Sequence, residues 1–161
     1  MRDCSWIAGI FENIRPDNFE CSSDRTDDLP NNGYNCIAWA AGKNDKWWWP
    51  IDVPGAYWPI PIDPIDAVTI NNFVKAFKTQ GFSPCNDGRF ENGFEKVAIY
   101  VDGANEPTHA ARSLPNGFWT SKLGKGEDIE HTTLDALQGR SYGTATTFLK
   151  RPNPMYHTRI A

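Results

Sequence analysis

The chain has 161 residues, 16 of them basic and 20 acidic, for a formal net charge of −4. That length suits one domain with a real core, and a hydrophobic fraction of 40% argues against disorder. Without a Lys/Arg cluster there is no electrostatic footprint for nucleic acid, and no stretch approaches the roughly 20 apolar residues of a membrane span, so neither partner is expected.

The N-terminus, MRDCSWIAGIFENIRP, carries Asp3 and only a short apolar run. It does not read as a secretory signal. The expectation is a protein made in the cytoplasm and exported, if at all, without a cleavable signal. Residues 1–30 read as an irregular segment ending in the loop CSSDRTDDLP, and the whole of 1–161 as a single domain. The four cysteines (4, 21, 36 and 85) are widely spread and show no C-x-x-C spacing. Free thiols are therefore expected rather than disulfides, and no metal or organic cofactor is implied.

Next comes NNGYNCIAWAAG. Asn35 suits an N-cap, CIAWAA suits a helix, and Gly42 sits where a helix end favours a left-handed residue. Cys36 thus falls in the first turn of a short helix. Residues 43–64 hold five of the 12 prolines and the run Trp47-Trp48-Trp49, which excludes a regular helix or central strand. Trp47 and Trp48, with Trp119 further on, read either as a substrate groove or as core. Residues 66–80 show apolar positions at helical spacing (Ala67, Ile70, Phe73, Val74, Phe77), closed by Gly81. That helix starts at Asp63-Pro64 or is capped by Thr69.

Residues 96–101 predict a strand, and 108–114 and 118–123 a hairpin about Pro115-Asn116-Gly117. Thr132 with Asp135 opens a short helix. Residues 142–150 read as a last strand and 152–161 as a loose tail. The pattern predicts an α+β fold, with N-terminal helices packed on a small antiparallel sheet.

A helix N-terminus stabilises a thiolate through its dipole and free N–H groups. Among the four cysteines only Cys36 has that setting. A thiol hydrolase also needs a base. Of the histidines, His157 lies in the tail, His131 precedes a short helix, and His109 begins a strand. Thus Cys36 reads as nucleophile and His109 as base. The competing reading makes both of them core residues.

A Cys at a helix start, followed 73 residues later by a strand His and then a further strand, resembles the chain order of papain-like cysteine hydrolases, the papain and NlpC types. The stretch HAARSLPNGFWTSKLG is similar to that superfamily's His-Ala strand, glycine turn and Trp-x-x-Lys strand, and the resemblance covers about residues 31–124. The chain also resembles an uncharacterised bacterial family with the same NCIAWA, PTHAAR and WTSKLG stretches. The resemblance implies a papain-like fold and amide-bond hydrolysis through a thioester.

Where papain-type enzymes place an orienting Asn, this chain has Leu123. Hairpin pairing puts Ser121 or Lys122 opposite His109. Asp128 is the favoured third catalytic residue, with His131 or Ser121 as alternatives, because a carboxylate best orients an imidazole. An oxyanion hole would use the Cys36 backbone N–H. The resemblance implies a side-chain donor as well, and Asn31, Asn32 and Asn35 stand where papain-type enzymes have a Gln. NNGYN reads equally as a tight turn.

The resulting expectation is a peptidase, amidase or protein Gln/Asn deamidase acting on a peptide or protein substrate. Use as a bacterial toxin or effector, with an immunity or host target protein, fits the same reading. An activated Cys36 is then expected to alkylate quickly at pH 6. The alternatives are a catalytically inactive binding module on the same fold and a disulfide-stabilised secreted binder.

Overall fold

The computed structural model describes residues 4–24, 28–124 and 126–157. Its strands in chain order are β1 (Phe19–Cys21), β2 (Asp28–Leu29), β3 (Asn32–Gly33), β4 (Trp47–Trp48), β5 (Ala56–Tyr57), β6 (Ser83–Cys85), β7 (Phe94–Val101), β8 (Pro107–Ser113), β9 (Trp119–Lys122), β10 (Asp128–His131) and β11 (Thr144–Pro152). The helices are α1 (Trp6–Ile10), α2 (Cys36–Ala40) and α3 (Ile70–Lys78), with a 3₁₀ turn at Leu134–Leu137. Seven strands form one sheet in the order β1-β10-β9-β8-β7-β11-β6. Every neighbouring pair in it is antiparallel.

This architecture corrects the expected α+β, papain-like layout. The three helices are only 5, 5 and 9 residues long, and the sheet dominates. Three of its strands hide in text without apolar alternation: β1 is FEC, β6 is SPC and β10 is DIEH. Each is short and gains its ladder from a neighbouring strand, so it needs little β-propensity of its own.

Both faces of the sheet are covered, which explains why β7 carries apolar residues at successive positions. Val97 and Ile99 face one core with Ala110 and Leu149, under Ile37 of α2 and Phe73 and Phe77 of α3. Ala98 and Tyr100 face the other core with Ala111, Trp119 and Ile129, under Ile7 of α1, Phe11, Ile14 and Leu137. For α3, Thr69 is the cap and accepts from the Asn72 N–H at 3.2 Å. That settles the choice between the two possible starts.

Cys4 and Cys21 form a disulfide that ties the chain before α1 to β1, while Cys36 and Cys85 are free. The expectation of four free thiols is corrected: α1 folds back over the sheet and brings together two cysteines 17 residues apart. The expected loose tail is also corrected as far as residue 157. Tyr156 is buried, its hydroxyl donating to the Ser113 carbonyl at 2.7 Å and lying 3.2 Å from Glu95 Oε2. Among the described residues no helix is long and apolar enough to cross a membrane.

Candidate active site

The site starts at Asn35. Its backbone is extended, and its carboxamide oxygen accepts from the N–H of Ala38 and of Trp48, each at 3.1 Å. Its amide nitrogen donates to the Trp48 carbonyl at 2.6 Å. One side chain therefore caps α2 and ties it to β4. Cys36 follows as the first helical residue. Backbone N–H groups of Ala110, Ile37 and Cys36 itself are directed at its sulfur.

The Ala110 N–H belongs to the peptide that joins it to His109, so the sulfur lies against the backbone of the candidate base. Two further bonds fix α2 over β8 and β9. Arg112 Nε donates to the Trp39 carbonyl at 3.2 Å, and Trp39 Nε1 donates to Thr120 Oγ1 at 2.9 Å. The β8–β9 ladder pairs only Arg112 with Thr120 and Ser113 with Trp119. It stops short of His109, where the end of α2 meets the strands.

His109 is fully buried and registers opposite Tyr100, on the sheet face away from the body of α2. Its Nε2 is 3.0 Å from Ser121 Oγ. Ser121 Oγ is in turn 2.8 Å from His131 Nε2, and His131 Nδ1 is 2.8 Å from the Thr133 carbonyl oxygen. The other ring nitrogen, His109 Nδ1, is buried with no hydrogen-bond partner. Tyr142 stacks on the His109 ring, with centroids 4.0 Å apart and planes 7° from parallel.

Tyr142 also lies near Cys36. Burial pushes its phenol well above the usual range, and the proximity of Cys36 and of the Asp28 carboxylate acts in the same direction. It is presented by Gly143, whose φ is +78°. A side chain at Gly143 would collide with the Val101 carbonyl oxygen, so only glycine fits there.

Desolvation governs the protonation states. Burial, reinforced by the nearby Asp28 carboxylate, raises the Cys36 thiol to about 12. The His109 pKa is lowered well below the usual imidazole range, by burial and then by His131. Burial lowers the His131 pKa to about 4. The pair at rest is therefore a neutral thiol beside a neutral imidazole, not a thiolate–imidazolium ion pair.

Asp128, favoured from the sequence as the third catalytic residue, does not reach His109. Residues 128–131 form a strand paired with β9, not a free loop. In its register Ser121 pairs with Ile129 and Asp128 with Lys122, so Asp128 lies on the opposite face of the sheet. Its carboxylate accepts from the Tyr34 hydroxyl at 2.6 Å. Ser121 and His131, the two alternatives, are the residues brought to His109. Tyr142 and the Thr133 carbonyl carried no sequence signal.

The remaining site expectations sort by burial. Asn35 uses its carboxamide oxygen to cap α2 and one amide hydrogen to hold the Trp48 carbonyl. Asn31 is left-handed (φ +70°), and its amide donates to the Pro54 carbonyl at 3.2 Å, as expected of a turn residue. The Asn32 side chain lies outside the described residues. The backbone N–H groups of Ala110, Ile37 and Cys36 lie nearest the sulfur. Trp48 and Trp119 belong to the two cores; Trp48 also borders a surface depression with Lys46 and Tyr57, and Trp119 a small one with Phe90 and Lys96, and neither depression includes Cys36 or His109. Trp47 is half-buried at the edge of the site and donates to Asp28 at 2.7 Å.

A surface cleft of about 810 Å³ opens at the β8–β9 turn beside His157, and neither Cys36 nor His109 lines it. Among the described residues, the metal-type ligands that converge are Cys4, Cys21 and Glu127, within 4.8 Å of one another. The two sulfurs are bonded to each other there.

Residues 22–150 match the family described as Domain of unknown function (DUF7689), and the chain belongs to that family. No curated protein and no solved structure matches the chain.

Proposed function

We propose that this member of the family is a cysteine-dependent hydrolase of amide bonds, with Cys36 as nucleophile and His109 as general base. One observation carries the reading: the sulfur, with backbone N–H groups of Ala110, Ile37 and Cys36 nearby, lies against the peptide of a buried histidine whose Nδ1 has no hydrogen-bond partner. As the sulfur attacks the carbonyl carbon of a peptide or protein substrate, its proton passes to His109 Nδ1. The carbonyl π pair moves to oxygen, where the N–H groups stabilise it. Collapse of that intermediate breaks the C–N bond, and His109 returns the proton to the leaving nitrogen. Water, deprotonated by His109, then attacks the thioester carbon; the C–S bond breaks and the departing sulfur recovers that proton from His109. Because both groups rest neutral, general-base transfer during attack is required, and such transfer contributes about 10²–10⁴-fold. Peptidase, amidase and Gln/Asn deamidase chemistry share these steps.

The experiment uses p-nitrophenyl acetate, an activated ester that needs no specific pocket. The expected outcome is a burst of p-nitrophenolate with the acetyl group mapped to Cys36 by mass spectrometry. In His109→Ala both acylation and deacylation slow by roughly 10²-fold. Acetylation elsewhere, or at Cys36 with no dependence on His109, rejects the hydrolase.

The thiol raised to about 12 and the cleft lying away from Cys36 favour a second reading, a binding module that uses the fold without chemistry. That reading predicts no acyl-Cys36 at all.

A further inference from the structure

The buried chain from His109 through Ser121 and His131 to Thr133 ends on a group whose role is fixed. A backbone carbonyl accepts and never donates. Thr133 O therefore takes a proton from His131 Nδ1. His131 is neutral, because burial holds its pKa down to about 4. Its Nε2 then has a lone pair and accepts. The Ser121 hydroxyl supplies that proton across 2.8 Å. The Ser121 hydroxyl hydrogen is thereby spent, so its oxygen accepts from His109 Nε2–H across 3.0 Å. His109 is left with its proton on Nε2 and a bare lone pair on Nδ1, the buried nitrogen without a partner. Each step excludes the opposite polarity, since two lone pairs or two protons would otherwise meet between side chains that are each 0% exposed: Ser121, His109 and His131.

We propose that Ser121 and His131 are positioning residues that lock His109 in its Nε2–H tautomer, which leaves the Nδ1 lone pair free to accept a proton. The lock takes one side chain from each of β8, β9 and β10, so the sheet register itself assigns the base atom. Its catalytic meaning rests on the hydrolase reading, while the tautomer does not.

The two are separated by measuring both. Long-range ¹H–¹⁵N correlation spectra of the wild-type protein distinguish imidazole tautomers directly. The expected pattern has His109 protonated at Nε2 and bare at Nδ1, and His131 the reverse. In Ser121→Ala the His109 signals move toward a mixture of tautomers, and Cys36 acetylation by p-nitrophenyl acetate falls by on the order of 10²-fold. Ser121→Thr, which keeps the hydroxyl, restores both. A wild-type His109 protonated at Nδ1 overturns the lock without needing any variant to fold. So does a Ser121→Ala spectrum unchanged at His109. If the tautomer is as stated but Cys36 never acylates, the lock stands and the hydrolase fails. If Cys36 acylates with His109 in the other tautomer, the hydrolase stands and the lock fails.

Discussion

At Cys36 two opposing effects meet, and their magnitudes decide between them. The helix start and three N–H groups favour the thiolate, but desolvation is larger and raises the thiol to about 12. At pH 8 the thiolate fraction is then about 10⁻⁴, against roughly a quarter for a free cysteine of pKa about 8.5. The more basic thiolate is intrinsically more nucleophilic, with a Brønsted slope of about 0.4–0.5, which returns some 30-fold. Iodoacetamide should therefore label native Cys36 about 10²-fold more slowly than a model thiol at pH 8, not quickly at pH 6. Peptide mapping of the labelling rate checks this, and a rate equal to the model thiol's would mean that the resting thiolate is stabilised after all. The residue-scale legibility of the site follows the same line. The cap at Asn35 and the strand at His109 are local patterns, so Cys36 at a helix start and His109 in a strand were both readable. Desolvation depends on what covers the residue, and no local pattern carries that. Asp128 was misread because one residue of strand register carries a side chain to the opposite face.

Elements were readable where one face is apolar and a cap is present, as in α3 with Thr69 and Phe73, or where an apolar run is long, as in β7. The three-residue strands β1 and β6 and the four-residue β10 were not, because their order comes from pairing with longer neighbours. The helix content was overread for a related reason: α2 and α1 are single turns held by tertiary contacts, and their sequences do not reveal how soon they end. Asn35 is the contact that matters most to α2. Replacing it with Ala removes a cap worth about 1 kcal/mol. It also strips the buried Trp48 backbone N–H and carbonyl of partners, at about 1–3 kcal/mol for groups left unsatisfied. The expected cost of Asn35→Ala is about 3 kcal/mol, read from the urea midpoint. Asn35→Asp should not restore it, because a second oxygen would face the Trp48 carbonyl at the 2.6 Å donor position. A loss below about 0.5 kcal/mol for Asn35→Ala would mean that α2 is held by its packing alone.

For the molecule as a whole, the two-faced sheet places ionisable groups where water does not reach, and acid should find them. His131 titrates near 6.5 when unfolded but near 4 in the fold. Above pH 6.5 it is neutral in both states and stability is flat with respect to it. Between pH 6.5 and 4 the unfolded chain binds a proton that the native protein refuses, so stability falls as pH falls. The loss approaches 2.5 × 1.36, or about 3 kcal/mol, at the bottom of that window. His109, lowered for the same reason, adds a loss of the same sign. Asp128 acts oppositely: its raised pKa lets the native state take up a proton before the unfolded state does, which offsets part of the decline. A domain is typically stable by only 5–15 kcal/mol, so the histidine contribution is a large share of the whole. Urea unfolding at pH 7.5, 5.5 and 4.5 should show a steep decline for the wild type and a shallower one for His131→Gln, which carries no titrating ring. Parallel declines would show that His131 exchanges protons freely in the native state. The transition should also be cooperative, because a proton forced onto His131 reverses the hydrogen bond to Ser121 and, through it, the bond to His109. The strain then falls on β8, β9 and β10 together, at the centre of the sheet on which both cores are built.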